Sequence, residues 1–71
     1  MAILNTTITV NEEKFLFKVS FTLCSLLKYL GFKTDLIVVD YNGNIIQKEY
    51  WHLIELKAND RIEILTIAGG G

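Results

Sequence analysis

The chain has 71 residues, 51% of them apolar and 21% charged, with five glycines, one cysteine and no proline; this leaves room for one small domain and none for an interdomain cleft. Seven Lys and Arg against eight Asp and Glu give a formal net charge of −1 with no run of either sign, which argues against a nucleic-acid or anionic-membrane surface. A chain this short buries only about 60% of the surface it exposes when unfolded and keeps roughly 5 kcal/mol of net stability, so its apolar residues are needed for folding and no large catalytic pocket is expected.

Thr6 to Val19 alternates with a period of two. Ile8 and Val10 share one face, Asn11-Glu12-Glu13 interrupts, and Phe15, Phe17 and Val19 share a face again, which predicts a β-hairpin packed on one side. From Thr22 the period becomes helical. Leu23, Leu26, Leu27 and Leu30 form one stripe, Thr22 is placed to cap the first turn, Lys28 complements the helix dipole, and Gly31 lies just past the end. Leu36 to Tyr41 is an apolar, β-branched strand, and Asn42-Gly43 is the pair suited to a type I′ turn into a short return strand, about Asn44 to Gln47. Lys48 to Leu56 predicts one helical turn around Tyr50, Trp51 and Leu53. Ala58-Asn59-Asp60 then turns the chain into a last strand, Arg61 to Ile67.

The predicted order is therefore β, β, α, β, β, a short helical turn, β. One helix across one face of a mixed sheet buries the leucine stripe, and the strongly apolar last strand belongs at the sheet centre beside the first. This is the order of the β-grasp, or ubiquitin-like, fold: an α+β domain of about five strands and one main helix, spanning residues 1–71, with 66–71 as an extended, flexible tail.

Three of the five glycines, Gly69, Gly70 and Gly71, close the chain. Glycine leaves the backbone thin, so such a tail can thread a narrow enzyme channel and present its terminal carboxylate unobstructed. A carboxylate becomes electrophilic when ATP converts it to an acyl-adenylate, whose acyl carbon a sulfur or amine nucleophile can take. The alternative is a frayed end without a role. The β-grasp order favours the functional reading, because a rigid strand then delivers the tail from one end of the domain.

The segment Asn42-Gly43-Asn44-Ile45-Ile46-Gln47-Lys48-Glu49-Tyr50-Trp51, then Leu56 with Asp60-Arg61-Ile62-Glu63-Ile64, and the ending Ile67-Ala68-Gly69-Gly70-Gly71 resemble a known family, the ThiS sulfur carriers of thiamine biosynthesis. The resemblance runs from about Thr6 to Gly71. It implies a carrier and not an enzyme. Gly71 would be adenylated by a ThiF-type partner that uses ATP, would receive sulfur by a cysteine desulfurase route to become a thiocarboxylate, and would give that sulfur to a ThiG-type thiazole synthase. No cofactor would be bound by the carrier.

One uncovered sheet face and a mean hydropathy of +0.33 point to an apolar docking patch on the side away from the helix. Ile64, Leu65 and Ile67 are its candidates, and alternation allows either Leu65 or Ile64 with its neighbours, since successive residues face opposite ways. Cys24 sits beside the leucine stripe and is read as packing and not as the sulfur-handling thiol. Trp51 is expected in the core, and His52 at solvent or a rim. Lys48-Glu49 and Asp60-Arg61-Ile62-Glu63 are read as solvated faces and turn residues.

The lone Cys24 offers no internal disulfide and fits a reducing compartment, and with His52 the only histidine no metal site is expected. Leu36-Ile37-Val38-Val39, among the longest apolar runs, falls far short of the roughly 20 residues that span a bilayer. Met1–Asn5 lacks the basic start and cleavage-type end of a signal peptide. The cytoplasm is the expected location, or the plastid stroma if the chain is organelle-encoded, which its Ile, Asn and Lys content would fit. Two other functions share the fold. The small subunit of molybdopterin synthase typically carries a proline before its glycine pair, which this chain lacks, and a ubiquitin-like modifier or docking module would join its tail to lysine amines or merely dock.

Overall fold

Alternation does build the first hairpin in the computed structural model, which describes residues 6–18 and 21–67. Strands β1 (Thr6–Val10) and β2 (Glu13–Phe17) pair antiparallel from Thr6↔Phe17 to Val10↔Glu13. That register leaves Asn11 and Glu12 as a two-residue turn, and both have positive φ, 49° and 70°, as a type I′ turn requires. Asparagine tolerates this conformation; glutamate has a Cβ that crowds the carbonyl. Replacing the exposed Glu12 by glycine should therefore stabilise the domain by roughly 0.5–1 kcal/mol in urea unfolding, the relieved strain exceeding the added freedom of the unfolded chain. Val19 lies outside the described residues.

The helix α1 (Leu23–Tyr29) begins and ends where its sequence signals stand. Thr22 Oγ1 accepts from Ser25 N at 3.1 Å, which satisfies one otherwise unpaired N–H of the first turn. Gly31, at φ +84°, closes the other end: Phe32 N donates to Leu27 O and Gly31 N to Lys28 O, both at 3.1 Å, the Schellman arrangement. Leu23, Leu26 and Leu27 are fully buried against the sheet, each contributing about 1.5–3 kcal/mol relative to exposure.

After a 3-10 turn at Thr34–Leu36 come β3 (Ile37–Tyr41) and β4 (Asn44–Ile46), joined by Asn42 and Gly43 at φ 51° and 93°. Leu36, expected to open β3, belongs to the turn before it, and Gln47 precedes a six-residue 3-10 helix at Lys48–Leu53. That helix drops Trp51 into the core, where it is 2% exposed and its Nε1 donates to Ile46 O at 3.0 Å.

The last strand, β5 (Arg61–Thr66), lies at the centre of a five-stranded sheet ordered β2-β1-β5-β3-β4. It runs parallel to β1 and antiparallel to β3. Its Ile62 and Ile64 join Ile8, Val10, Ile37, Val39, Leu56, Trp51 and the three leucines of α1 in one core cluster. Thr66 is the strand's last residue, one short of the Ile67 at which it was expected to end. One main helix thus covers one face of a mixed sheet, the β-grasp arrangement, and Ala68–Gly71 lie outside the described residues.

Candidate functional site

The delivery of the C-terminus is decided by how β5 is held. On its β1 side the register reaches Val10↔Ile62; Asn11 N then donates to Ile62 O at 2.9 Å, and the Asn11 side chain takes over from the strand, Oδ1 accepting from Ile64 N at 2.6 Å. On the β3 side pairing continues to Ile37↔Thr66, and Ile67 N donates to Leu36 O at 2.6 Å. The strand that leads to the glycines is therefore bonded on both sides through Ile64, and on the β3 side through Ile67. Asn11 carries this role through a contact 53 residues away in sequence, which no local pattern announces.

The faces of β5 separate cleanly. Ile64 is 6% exposed and packs under α1, whereas Leu65 is 65% and Ile67 47% exposed. This corrects the inclusion of Ile64 in an exposed patch: the helix covers the side to which Ile62 and Ile64 point. Cross-strand register adds residues to the open side that the sequence reading did not single out. Val38 is opposite Leu65, Asp40 opposite Glu63, and Ile45 opposite Asp40; directly opposed residues share a face. Ile45 is 62% exposed. Leu65, Ile45 and Val38 thus form an apolar surface beside the end of β5 from which the tail departs, with Asp40 and Glu63 among them.

The other end of β5 is anchored by Asp60, 7% exposed, and not a solvated turn residue as its sequence context suggests. Its carboxylate accepts from Tyr41 Oη at 2.6 Å, Asn42 Nδ2 at 3.0 Å and Lys57 N at 2.7 Å. Asn42 Oδ1 in turn accepts from Arg61 N at 2.7 Å. Burial by itself would raise the Asp60 carboxyl, but these hydrogen bonds and the Lys57 charge outweigh it and hold the group below its ordinary 3.8. Burial, the hydrogen bond to Asp60 and its negative charge push the Tyr41 hydroxyl up to about 12. The knot ties the β3–β4 turn to the start of β5.

Cys24 is half-buried against the core in the first turn of α1. That turn lies at the end of the sheet where β5 begins, since Thr22 and Tyr41 line one surface recess there together with His52 and Lys57; the chain leaves β5 at the opposite end. Cys24 and His52 therefore lie towards the start of β5 and not towards Ile67, the last described residue. Among the described residues no group of three or more His, Cys, Asp or Glu is placed to hold a metal ion, and no helix is long and apolar enough to cross a membrane.

Comparison with known proteins agrees with this architecture. The sequence pattern of the ThiS family matches residues 2–71. The ycf40 protein of Trieres chinensis is 38% identical over 65 residues, 92% of this chain and 89% of that protein. The sulfur carrier protein ThiS of Bacillus subtilis (strain 168) is 38% identical over 50 residues, 70% of this chain and 76% of that protein. The crystal structure of the thiamine biosynthesis protein ThiS from Geobacter metallireducens superposes with a TM-score of 0.80 at 26% identity, covering 93% of this chain and all of that one. Family pattern, relatives and sheet order coincide: the chain belongs to the ThiS family of ubiquitin-like sulfur carriers.

Proposed function

We propose that this carrier supplies sulfur for the thiazole of thiamine through its C-terminal Gly71. Small carriers of this family are not catalysts, so the chemistry is done on the chain by others. A ThiF-type enzyme joins the Gly71 carboxylate to AMP, releasing pyrophosphate from ATP. A sulfur nucleophile delivered by a cysteine desulfurase route then displaces AMP at the acyl carbon; where the donor is a persulfide, thiol exchange on the resulting acyl disulfide frees the thiocarboxylate. A ThiG-type thiazole synthase takes that sulfur. Each partner docks on the apolar sheet face around Leu65 and Ile67 and receives the tail that leaves beside it.

The observation that carries this reading is the placement of β5: a central strand, bonded to both neighbours through Ile64, ending next to an exposed apolar face. The names of the Bacillus and Geobacter relatives, a sulfur carrier and a thiamine biosynthesis protein, support the thiamine pathway over molybdopterin synthesis. Similarity to the ycf40 proteins of Trieres chinensis and Porphyra purpurea supports the plastid stroma over the cytoplasm as its location.

The direct test is a mass spectrum of the tryptic peptide Ile62–Gly71 after incubation with ATP, the adenylating enzyme and a sulfur source. The peptide contains neither Met nor Cys, so oxidation cannot readily imitate the exchange of one oxygen for sulfur. The expected result is that mass gain confined to Gly71. An unchanged peptide, with the same enzyme active on another carrier, would refute the proposal.

A further inference from the structure

Beyond Ile64 the last strand is paired on one side only. Odd-numbered residues of β5 turn their backbone N–H and C=O towards β3, since Asn42 N donates to Arg61 O and Ile67 N to Leu36 O. Even-numbered residues turn theirs towards β1: Thr9 N donates to Asp60 O, Asn11 N to Ile62 O, and Ile64 N to the Asn11 side chain. At Asn11 the first hairpin turns away, and the β1 ladder reaches no further than Val10↔Ile62. Among the described residues nothing then pairs with Ile64 O or with the N–H and C=O of Thr66, although the β3 side of the same stretch stays bonded through Ile67. Thr66 is exposed. An extended segment laid there would follow the track of β1 past its turn, and beside that track on the helix side is a recess of about 220 Å³ lined by Val10, Asn11, Glu13, Phe15, Leu30 and Phe32.

An unpaired sheet edge is a template for another strand, and edges not meant to pair are guarded by proline or charge. The stretch from Thr66 to Gly71 contains neither. Past Ile67 the chain continues for four residues, the last three of them glycine, so an enzyme that brings the Gly71 carboxylate to ATP finds no side chain beyond Ala68 and must hold backbone. We infer that the ThiF-type adenylating enzyme adds an extended segment of its own to the free edge of β5, a carbonyl of it accepting from Thr66 N and its N–H groups donating to Ile64 O and Thr66 O. An apolar side chain of that segment enters the recess beside Phe15 and Phe32. In strand addition of this kind backbone hydrogen bonds supply affinity and alternate side chains supply specificity. The adenylating enzyme is the partner because it takes the chain as made, with the tail unmodified. The inference rests on the activation of Gly71 proposed above and adds how that enzyme sets the register of the tail: pairing fixed at Thr66 leaves a set number of residues to the reacting carboxylate.

The test has two readouts on the full chain. Amide hydrogen exchange, resolved by residue, should find Thr66 N–H faster than Leu65 N–H in the free carrier and slowed roughly tenfold or more when the purified adenylating enzyme is added without ATP. Carrier-dependent ATP–pyrophosphate exchange then compares variants. Thr66→Pro deletes an N–H that faces the free edge and none that faces β3, so the thermal midpoint should stay close to that of the parent chain. Its KM for the carrier should rise roughly tenfold, because a carbonyl of the enzyme is left without its donor. Thr66→Val keeps the N–H and should behave as the parent chain does. Equal weakening in Thr66→Val would assign the effect to the side chain and overturn the pairing. A Thr66 N–H already slow in the free carrier would also overturn it, the edge being covered by the chain itself or, where the slowing depends on concentration, by a second copy. With the parent chain active, a Thr66 N–H unmoved by the enzyme or an unchanged KM in Thr66→Pro would overturn the inference and leave the role of Gly71 standing. Should Thr66→Pro fail to fold, hydrogen exchange in the parent chain decides. If the parent chain supports no pyrophosphate exchange, the proposed function falls and this inference with it.

Discussion

Removal of Gly71, or amidation of the C-terminus, is expected to abolish sulfur acceptance by the carrier, while Cys24→Ala leaves it at the level of the parent chain. The expectation follows from the chemistry of activation. Adenylation needs a free carboxylate at the end of a chain slim enough to enter the activating site, and amidation removes the nucleophilic oxygen without altering the fold. Truncation keeps a carboxylate but moves it back by one residue, about 3.5 Å, and reaction geometry tolerates errors of about 1 Å poorly. Cys24, by contrast, lies half-buried beside the leucine stripe, at the end of the sheet where β5 begins. Its truncation should cost only packing, about 1 kcal/mol. The measurement is the sulfur mass on the C-terminal tryptic peptide that begins at Ile62 in each variant. The reverse pattern, acceptance lost with Cys24→Ala and kept without Gly71, would place the sulfur on the thiol.

The second large effect concerns stability. Asp60→Ala should destabilise the domain by about 3 kcal/mol in urea unfolding, since it strands the Tyr41 hydroxyl, the Asn42 amide and the Lys57 N–H that now converge on one charged acceptor. Against roughly 5 kcal/mol for a domain of this size, that loss removes most of the margin. The same knot sets two pH limits. The Asp60 carboxyl is held below 3.8, so its contribution is complete above that pH and is lost as pH falls through the lower folded value. The Tyr41 hydroxyl is pushed from 10.0 up to about 12, so its contribution is complete below pH 10.0 and is lost as pH rises through about 12. Phenolate absorbance should show one of the chain's three tyrosines titrating late. In Asp60→Ala that late step should move down towards its ordinary value, part of the shift remaining because burial persists. A late step unmoved by Asp60→Ala would mean that burial alone holds the Tyr41 proton.

The stability knot and the docking face were legible to different degrees. Asp60 follows Ala58-Asn59 in a stretch that has the composition of an exposed turn, and it does make that turn. Its burial comes from Tyr41 and Asn42, some eighteen residues earlier, which fold over it only when β3 pairs with β5. The open face was expected with Leu65 and Ile67 among its residues, both of which are exposed; Val38, Ile45, Asp40 and Glu63 were not singled out, and Ile64 was included although it is buried. A period of two says that Ile64 and Leu65 point oppositely and leaves open which of them is covered.

What the sequence determined by itself is the local and the periodic. Helical spacing of leucines between Thr22 and Gly31, alternation in the flanking segments, Asn42-Gly43 at a hairpin turn and the run of closing glycines are each written in neighbouring residues, because backbone conformation and turn geometry depend on near neighbours. Together with length they sufficed for the β-grasp order, while the family came from the resemblance of Asn42–Trp51, Leu56 with Asp60–Ile64, and Ile67–Gly71 to the ThiS carriers. The tertiary structure decided the rest: that α1 covers Ile62 and Ile64 and leaves Leu65 outward, that Asn11 bonds Ile64 across 53 residues, and that Asp40 and Glu63 stand opposite one another. These are facts of strand register. Register arises from which apolar faces bury together and which backbone groups pair across long loops, and it brings together residues whose separation in the chain carries no trace of their contact.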